Sequence, residues 1–420
     1  MTTTTPTTPT PASDSTVSTD AASSNPPARR SFLRLLGGGA LLAGGGALTA
    51  SLGGCASDVP EEAIAAWRLA ERGAAGETDP RRWVLAHAIL APHSHNLQSW
   101  LVDLRTPGEI VLRVDLERLL PETDPFSRQI VMSQGTFLEL LDLAARERGL
   151  RAEIALFPEG EFGPDKLDTR PVARVRLVPD AGVARDPLFA QITRRHTNRN
   201  AYDPARPVPA AAWAAMAEAV KPHALRFGFV GPEDAPALAR QRAVASEAWR
   251  VEVSTARTMF ESVKVLRVGA SEIARHRDGI SITSPMLAAL DRVGLFDRSA
   301  APAPDSMAVR GQIEDFDKKI ASTPNFLWMV SEGNSRATQI AAGRAYARVQ
   351  LAATAQGVVM QPLQQALQEY PEVAGPYAEI HRLLGAPRPT HTVQMWARVG
   401  FAAPVGPAPR RGLDAHIVRV

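Results

Sequence analysis

Two stretches decide how this 420-residue chain folds, Gly135-Thr136-Phe137-Leu138-Glu139-Leu140-Leu141-Asp142-Leu143-Ala144-Ala145-Arg146-Glu147-Arg148-Gly149 and Gly343-Arg344-Ala345-Tyr346-Ala347-Arg348-Val349-Gln350-Leu351-Ala352-Ala353-Thr354-Ala355-Gln356-Gly357. Both glycines and the Leu-Ala-Ala core, Leu143 to Ala145 against Leu351 to Ala353, stand at one constant offset of 208 residues. In the first copy Val131, Phe137, Leu138, Leu141 and Ala145 fall broadly on one side of a helix predicted over Ser127 to Leu150, with Gly149 as its stop. The second copy predicts a helix over Arg336 to Gln356. A strand follows each, Ala152 to Phe157 and Val358 to Pro362. Such repetition reads as two degenerate copies of one unit. Small residues at the centre of both helices suit close packing, so the pair is expected at the middle of an intramolecular pseudo-dimer. The length agrees, being more than one ordinary core needs.

Outward from these helices, Pro60 to Arg72 predicts a helix with proline and two glutamates at its start. Another opens at Asp79-Pro80 and ends at Ala91-Pro92. The polar loop His93-Ser94-His95-Asn96-Leu97-Gln98-Ser99-Trp100 leads into a hairpin, Leu101 to Leu104 and Ile110 to Val114, turned at Thr106-Pro107-Gly108. Val172 to Val178 is a further extended run. An alanine-rich helix over Pro209 to Val220, a strand over Leu225 to Val230 and two long helical segments over Pro232 to Gly269 come next. Residues 279–304, with several Pro, Gly and Ser, predict an irregular excursion or lid. Asn325 to Val330 is an apolar strand.

Hydrophobic residues make up 45% and charged residues 22%, which is a globular composition. The net charge of +3 is spread along the chain among acidic residues, so nucleic-acid binding is not suggested. One cysteine excludes a disulfide framework or a cysteine-based metal site within a single chain.

The lone cysteine lies in the leader. Residues 1–27 are Thr, Ser, Pro and Ala with two Asp, too polar to bury a core, and are expected to be disordered. Arg29-Arg30-Ser31-Phe32-Leu33-Arg34 and the uncharged run Leu35 to Ala50 resemble a twin-arginine export signal. Leu52-Gly53-Gly54-Cys55 resembles a lipobox, which would make Cys55 the lipidated first residue of the mature protein. The competing reading is a membrane-spanning anchor, but six glycines dilute the run. The expected organisation is a leader over 1–55, one half over 56–185 and a second over 186–420. The expected location is periplasmic or cell-surface, reached through the twin-arginine machinery, with the membrane touched only through the lipid at Cys55.

One stretch carries chemistry of its own. Arg194-Arg195-His196-Thr197-Asn198-Arg199-Asn200-Ala201-Tyr202 packs three guanidiniums into six positions, enough to hold a phosphate bidentately and a polar linker beside it. A solvated basic patch is the competing reading. Arg195 to Arg199 resembles the first flavin motif of the nitroreductase family, Arg-Arg/His-Ser-x-Arg/Lys. Ala91 to Trp100 resembles its second, Pro-Ser-x-x-Asn-x-Gln-Pro-Trp, with His93 where the family has Ser and Ser99 where it has Pro. The likeness runs from about Asp79 to the C-terminus, is closest to the exported, Acg-like branch, and includes Gln361-Pro362-Leu363-Gln364-Gln365.

That resemblance implies an α+β, three-layer nitroreductase-like fold and FMN as cofactor. It implies that the two motifs, in different halves, form one composite site. Arg195 and Arg199 would hold the phosphate and ribityl region with Thr197 as hydroxyl partner. Arg410 and Arg411 would close on the phosphate, or else belong to a mobile basic tail. Pro92, His93, Ser94 and Asn96 would contact the flavin from the other half. Gln361, Gln364 and Gln365 would line its reactive edge, or form an ordinary polar loop. A metal site at His87, His93 and His95 lacks a suitably spaced carboxylate. The implied activity is reduction of nitroaromatic or quinone-like acceptors by flavin hydride transfer, with no protein acid or base named. Alternatives are a non-catalytic protein that sequesters flavin under a lid, and a lipoprotein that kept the fold and lost the cofactor.

Overall fold

In the computed structural model of the chain, residues 59–418 are described. The readings of residues 1–27, of Arg29 and Arg30 and of Cys55 lie outside them. Among the described residues no helix is long and apolar enough to cross a membrane.

The chain enters through α1 (Glu61–Glu71) and α2 (Pro80–Ala88). The Asp79 carboxylate caps α2 by accepting the Arg81 N–H at 2.8 Å. The hairpin β1 (Trp100–Asp103) and β2 (Glu109–Val114) follows, then α3 (Arg128–Glu147), β3 (Leu150–Leu156) and β4 (Ala173–Pro179). These strands form an antiparallel sheet in the order β1-β2-β4-β3. Burial alternates along β2, with Ile110, Leu112 and Val114 turned into the core and the residues between them only partly covered. That is the pattern of a sheet packed on one face.

The second half starts with α4 (Ala210–Val220) and β5 (Arg226–Val230). Before the next strand of its sheet come α5 (Ala235–Ser254), α6 (Ala256–Lys264), β6 (Leu266–Val268), α7 (Gly269–His276), β7 (Ile280–Ile282), α8 (Pro285–Arg292) and α9 (Met307–Ala321). Then follow β8 (Asn325–Glu332), α10 (Arg336–Ala355), β9 (Val359–Pro362), α11 (Ala374–Leu383) and β10 (His391–Gly400). The sheet is antiparallel in the order β5-β8-β10-β9. It is covered on both faces. Leu327, Met329, Met395 and Ala397 meet α4 and α10, while Phe326, Val330, Val393 and Trp396 meet the helices of the other side.

Helices α3 and α10 pack against each other between the sheets. A Cβ on Gly135 would overlap the Ile340 carbonyl oxygen, and one on Gly343 would overlap that of Met132. Only glycine permits this approach at either position. Charge is settled within the contact: the buried Glu139 takes Arg344 Nε at 2.7 Å and Arg348 Nη1 at 2.8 Å, and Asp186 takes Arg348 Nη2 at 2.8 Å.

Two expectations are corrected. Residues 279–304 are not wholly irregular, since they hold β7 and α8, and the covering segment is larger than that stretch, running from α5 to α9. Strand β10 had no counterpart in the sequence reading, yet it pairs with both β8 and β9.

Candidate functional site

The sheets, the α3–α10 pair and the covering segment leave a cavity of about 1000 Å³. Pro92 to Asn96, Arg195, Thr197, Arg199, Gln361, Gln364, Gln365 and Arg410 all line it. Two motifs 100 residues apart in sequence are thus brought to one space. Arg411 is the exception. Its backbone N–H donates to Gln98 Oε1 at 2.9 Å and its side chain to the Gln98 carbonyl, which fixes the loop behind the wall.

The Pro92–Ser99 loop is held by its own side chains. His95, Asn96 and Gln98 have φ of 47°, 55° and 54°, in the left-handed region that favours glycine. His93 Nδ1 lies 2.7 Å from the Ser94 carbonyl, so that nitrogen carries the proton. His93 Nε2 then accepts the Ser99 N–H at 3.1 Å and lies 2.7 Å from the Ser99 hydroxyl. The two departures from the family motif therefore bond to each other, and a proline at 99 would remove the N–H the histidine needs. Burial, with Arg410 and Arg411 adding, pushes the His93 imidazole down to about 3, so it stays neutral. The loop is also clipped to the covering segment: Gly279 donates its N–H to the Asn96 carbonyl at 3.1 Å, and Gln98 Nε2 donates to the Arg277 carbonyl at 2.9 Å.

The arginine stretch runs beside β9, where Thr197 bridges to Met360 and the Asn198 N–H donates to the Met360 carbonyl at 3.1 Å. Arg195 donates to Gln350 Oε1 at 3.1 Å and to the Leu90 carbonyl at 2.9 Å. Arg410 donates to Asn96 Oδ1 at 2.6 Å and to the carbonyls of Leu90 and Ala91 at 3.2 and 3.0 Å. Trp67 of α1 stands between them, its ring 5.8 Å from the Arg195 guanidinium and 5.3 Å from that of Arg410. Arg199 makes no hydrogen bond within the described residues. It is exposed although protein surrounds it, because its free surface faces the cavity.

None of Arg195, Arg199 or Arg410 is ion-paired to a carboxylate among the described residues. Burial lowers Arg195 to about 10 and Arg410 well below its usual range, with Arg195 itself adding to the second. Buried polar atoms of the same wall also lack partners: Arg195 Nε, Arg410 Nε, His196 Nδ1, Gln364 Oε1, Gln365 Oε1 and Tyr346 OH. A polar anionic ligand supplies what such a wall lacks. Gln361 is already engaged, accepting Arg398 Nε at 2.7 Å.

Sequence reasoning missed Trp67, Tyr346, Arg398 and Glu252. Trp67 lies before the recognised likeness, and Glu252 sits in a helix that carries no motif. Among the described residues no three metal-ligating side chains are grouped to hold an ion. His87, within α2, is buried with Nδ1 on the Trp83 carbonyl one turn back at 3.0 Å.

No family model matches the chain. Two curated relatives do, Rv3131 and MT3217, both from Mycobacterium tuberculosis and provisionally named NAD(P)H nitroreductases. Each is 31% identical over 344 residues, covering 79% of this chain and 89% of the relative. The chain belongs to the nitroreductase family, and its mixed α+β architecture is of that kind. Among solved structures, a nitroreductase from Bacteroides fragilis with bound FMN is 15% identical with a TM-score of 0.30, covering 52% of this chain and 89% of that one. The FMN-dependent nitroreductase NfnB from Mycobacterium smegmatis, in complex with NADPH, is 18% identical with a TM-score of 0.33, covering 55% and 96%.

Proposed function

We propose that the chain is an FMN-dependent oxidoreductase of nitroreductase type, reducing nitroaromatic or quinone-like acceptors at one site between two halves of a duplicated fold. The observation that carries this reading is the set of three guanidiniums, Arg195, Arg199 and Arg410, that meet at one cavity, none of them ion-paired to a carboxylate among the described residues. Arg195 and Arg410 would hold the phosphate end of FMN, and Arg199 with Thr197 its polar linker. Pro92 to Asn96 would supply the opposite wall. Bound there, FMN supplies hydride chemistry. The chain's own groups orient it, exclude water and keep His93 neutral beside it. The duplication is supported by the shared strand order of the two sheets, by the glycine contact of α3 with α10 and by the constant offset of their sequences. The halves divide near residue 185 on this reading.

The test is anaerobic. The purified protein, reduced with dithionite, is mixed with 1,3-dinitrobenzene or 1,4-benzoquinone, and return of the oxidised flavin spectrum is the expected result. A flavin that neither acceptor reoxidises excludes the reductase reading and leaves the second one, flavin sequestration. The observation on which that second reading rests is the pair of hydrogen bonds that tie Asn96 and Gln98 to the covering segment.

We further propose that the chain is of the exported, Acg-like branch, leaves by the twin-arginine route and is lipid-anchored at Cys55. The support is the spacing of Arg29-Arg30 from an uncharged run ending at Cys55. Labelled fatty acid should enter the wild type and not Cys55→Ala. The names of the relatives point to a nicotinamide donor and an exported location points away from one; reduction of the purified protein by NADPH decides between them.

A further inference from the structure

The cavity wall holds an acid that nothing above uses. Glu252, on α5, is 4% exposed and lines the same space as Arg199 and Gln361. Gln368 Nε2 donates to its Oε2 at 2.8 Å, and no cation pairs with it among the described residues. Gln368 is itself 3% exposed, and its own Oε1 has no partner. Trp249 and Phe316, stacked at 4.9 Å, line the space as well, so the carboxyl shares an apolar wall.

A second acid nearby is treated differently. Glu261, on α6, accepts the N–H groups of Glu122 and Thr123, each at 2.9 Å, and the Thr123 hydroxyl at 2.6 Å. Burial raises Glu261 too, but three donors work against that and stabilise its carboxylate, whereas one amide does little for Glu252. Where two neighbouring acids have such unequal surroundings, the charge sits on the better-solvated one and the proton on the other. Burial, with Glu261 adding, pushes Glu252 up to about 7. The remaining groups that face it do not offset this. The Thr258 hydroxyl is spent on the Glu252 backbone carbonyl at 2.8 Å. Tyr370 is itself pushed well above its usual range by burial, Glu252 and Glu372 adding. The Arg257 guanidinium lies over the Tyr370 ring at 5.2 Å and bonds Glu122 and Glu372 instead.

We propose that Glu252 delivers the proton consumed when a nitro group is reduced in this cavity. The proposal rests on the FMN-reductase reading for its acceptor class, nitroaromatics. Such an acceptor takes two electrons as hydride from the reduced cofactor and one proton. One N–O bond breaks, the oxygen leaves as water and a nitroso group remains. The proton comes from the Glu252 carboxyl, which is left as carboxylate and regains a proton from solvent. A resident acid in the cavity wall supplies that proton without diffusion of a second reactant to the acceptor.

Glu252→Gln and Glu252→Asp, both loaded with flavin and reduced under nitrogen, test this by stopped-flow reoxidation. With 1,3-dinitrobenzene the Gln variant should be slower by about 100-fold, the Asp variant intermediate. The wild-type rate should fall as pH rises through about 7, because the acid form is lost, and the Gln variant should lack that limb. Ferricyanide, which takes electrons without protons, should reoxidise all three alike. Infrared titration of the protein without added acceptor or cofactor should show a carboxylic-acid band in the wild type that fades near pH 7 and is missing in Glu252→Gln. Equal slowing with both oxidants, an unchanged pH profile or an unchanged infrared band overturns the proposal. If the wild type takes up no flavin, the FMN reading fails by itself, while the infrared band still reports on Glu252.

Discussion

The molecule buries arginines in two ways, and the contrast separates what holds the fold from what serves a ligand. Between α3 and α10, Arg344 and Arg348 meet Glu139, Asp142 and Asp186, so the charge is closed within the chain. Around the cavity Arg195 and Arg410 hydrogen-bond only backbone carbonyls and side-chain amides among the described residues, and Arg199 makes no hydrogen bond there. An uncompensated buried cation costs stability in the free protein. Such an arrangement is explained by an anion that arrives from outside.

The largest effect should come from breaking the closed region. Glu139→Ala removes the buried carboxylate that two guanidiniums share, leaving Arg344 only Asp142 and Arg348 only Asp186, and should lower unfolding stability by about 3 kcal/mol in chemical denaturation. Arg195→Met should do the opposite in the open region. We expect the cofactor-free protein to gain about 1 kcal/mol in stability, while FMN affinity falls about 100-fold by fluorescence titration. A loss of stability in Arg195→Met would erase the distinction. Gly343→Ala forces a methyl against the Met132 carbonyl and should cost about 2 kcal/mol. Gly375→Ala in α11, where nothing lies within 4 Å, should instead gain about 0.5 kcal/mol.

A further small effect sharpens the loop beside the cavity. Ser99→Pro alone leaves His93 Nε2 without its backbone donor, and His93→Ser alone leaves the Ser99 N–H without its acceptor. Together they restore the usual family residues, so a double-mutant cycle should show a coupling of about 1 kcal/mol in stability. Additive losses would mean that the two departures are independent.

Much of this was legible beforehand, for identifiable reasons. Helices α3 and α10 are long, periodic and stopped by glycine, and their repeat located the centre of the fold. Pro92 to Asn96, Arg195, Thr197 and Arg199 belong to two motif stretches, so the likeness reached them, whereas the cavity residues of the covering segment carry no motif. Strand β10 escaped because Gln394 and Arg398, both fully buried, interrupt an otherwise apolar run. Arg398 is accommodated by the Tyr202 ring at 4.0 Å and by Gln361, partners remote in sequence. Residues 279–304 read as irregular because Pro and Gly fall at the ends of short elements, where they cap β7 and α8 instead of breaking them. Arg411 beside Arg410 could not be told apart by sequence. Only the fold shows one facing the cavity and the other turned to Gln98.

The account stands on the cavity arginines holding one flavin per chain, and the most direct measurement is the flavin content of the full-length protein. Equilibrated with FMN and freed of excess, the wild type should retain one FMN per chain. The Arg195→Met, Arg410→Met double variant should retain none while keeping the wild-type circular dichroism. A colourless wild type, or a double variant that keeps its flavin, would contradict the account.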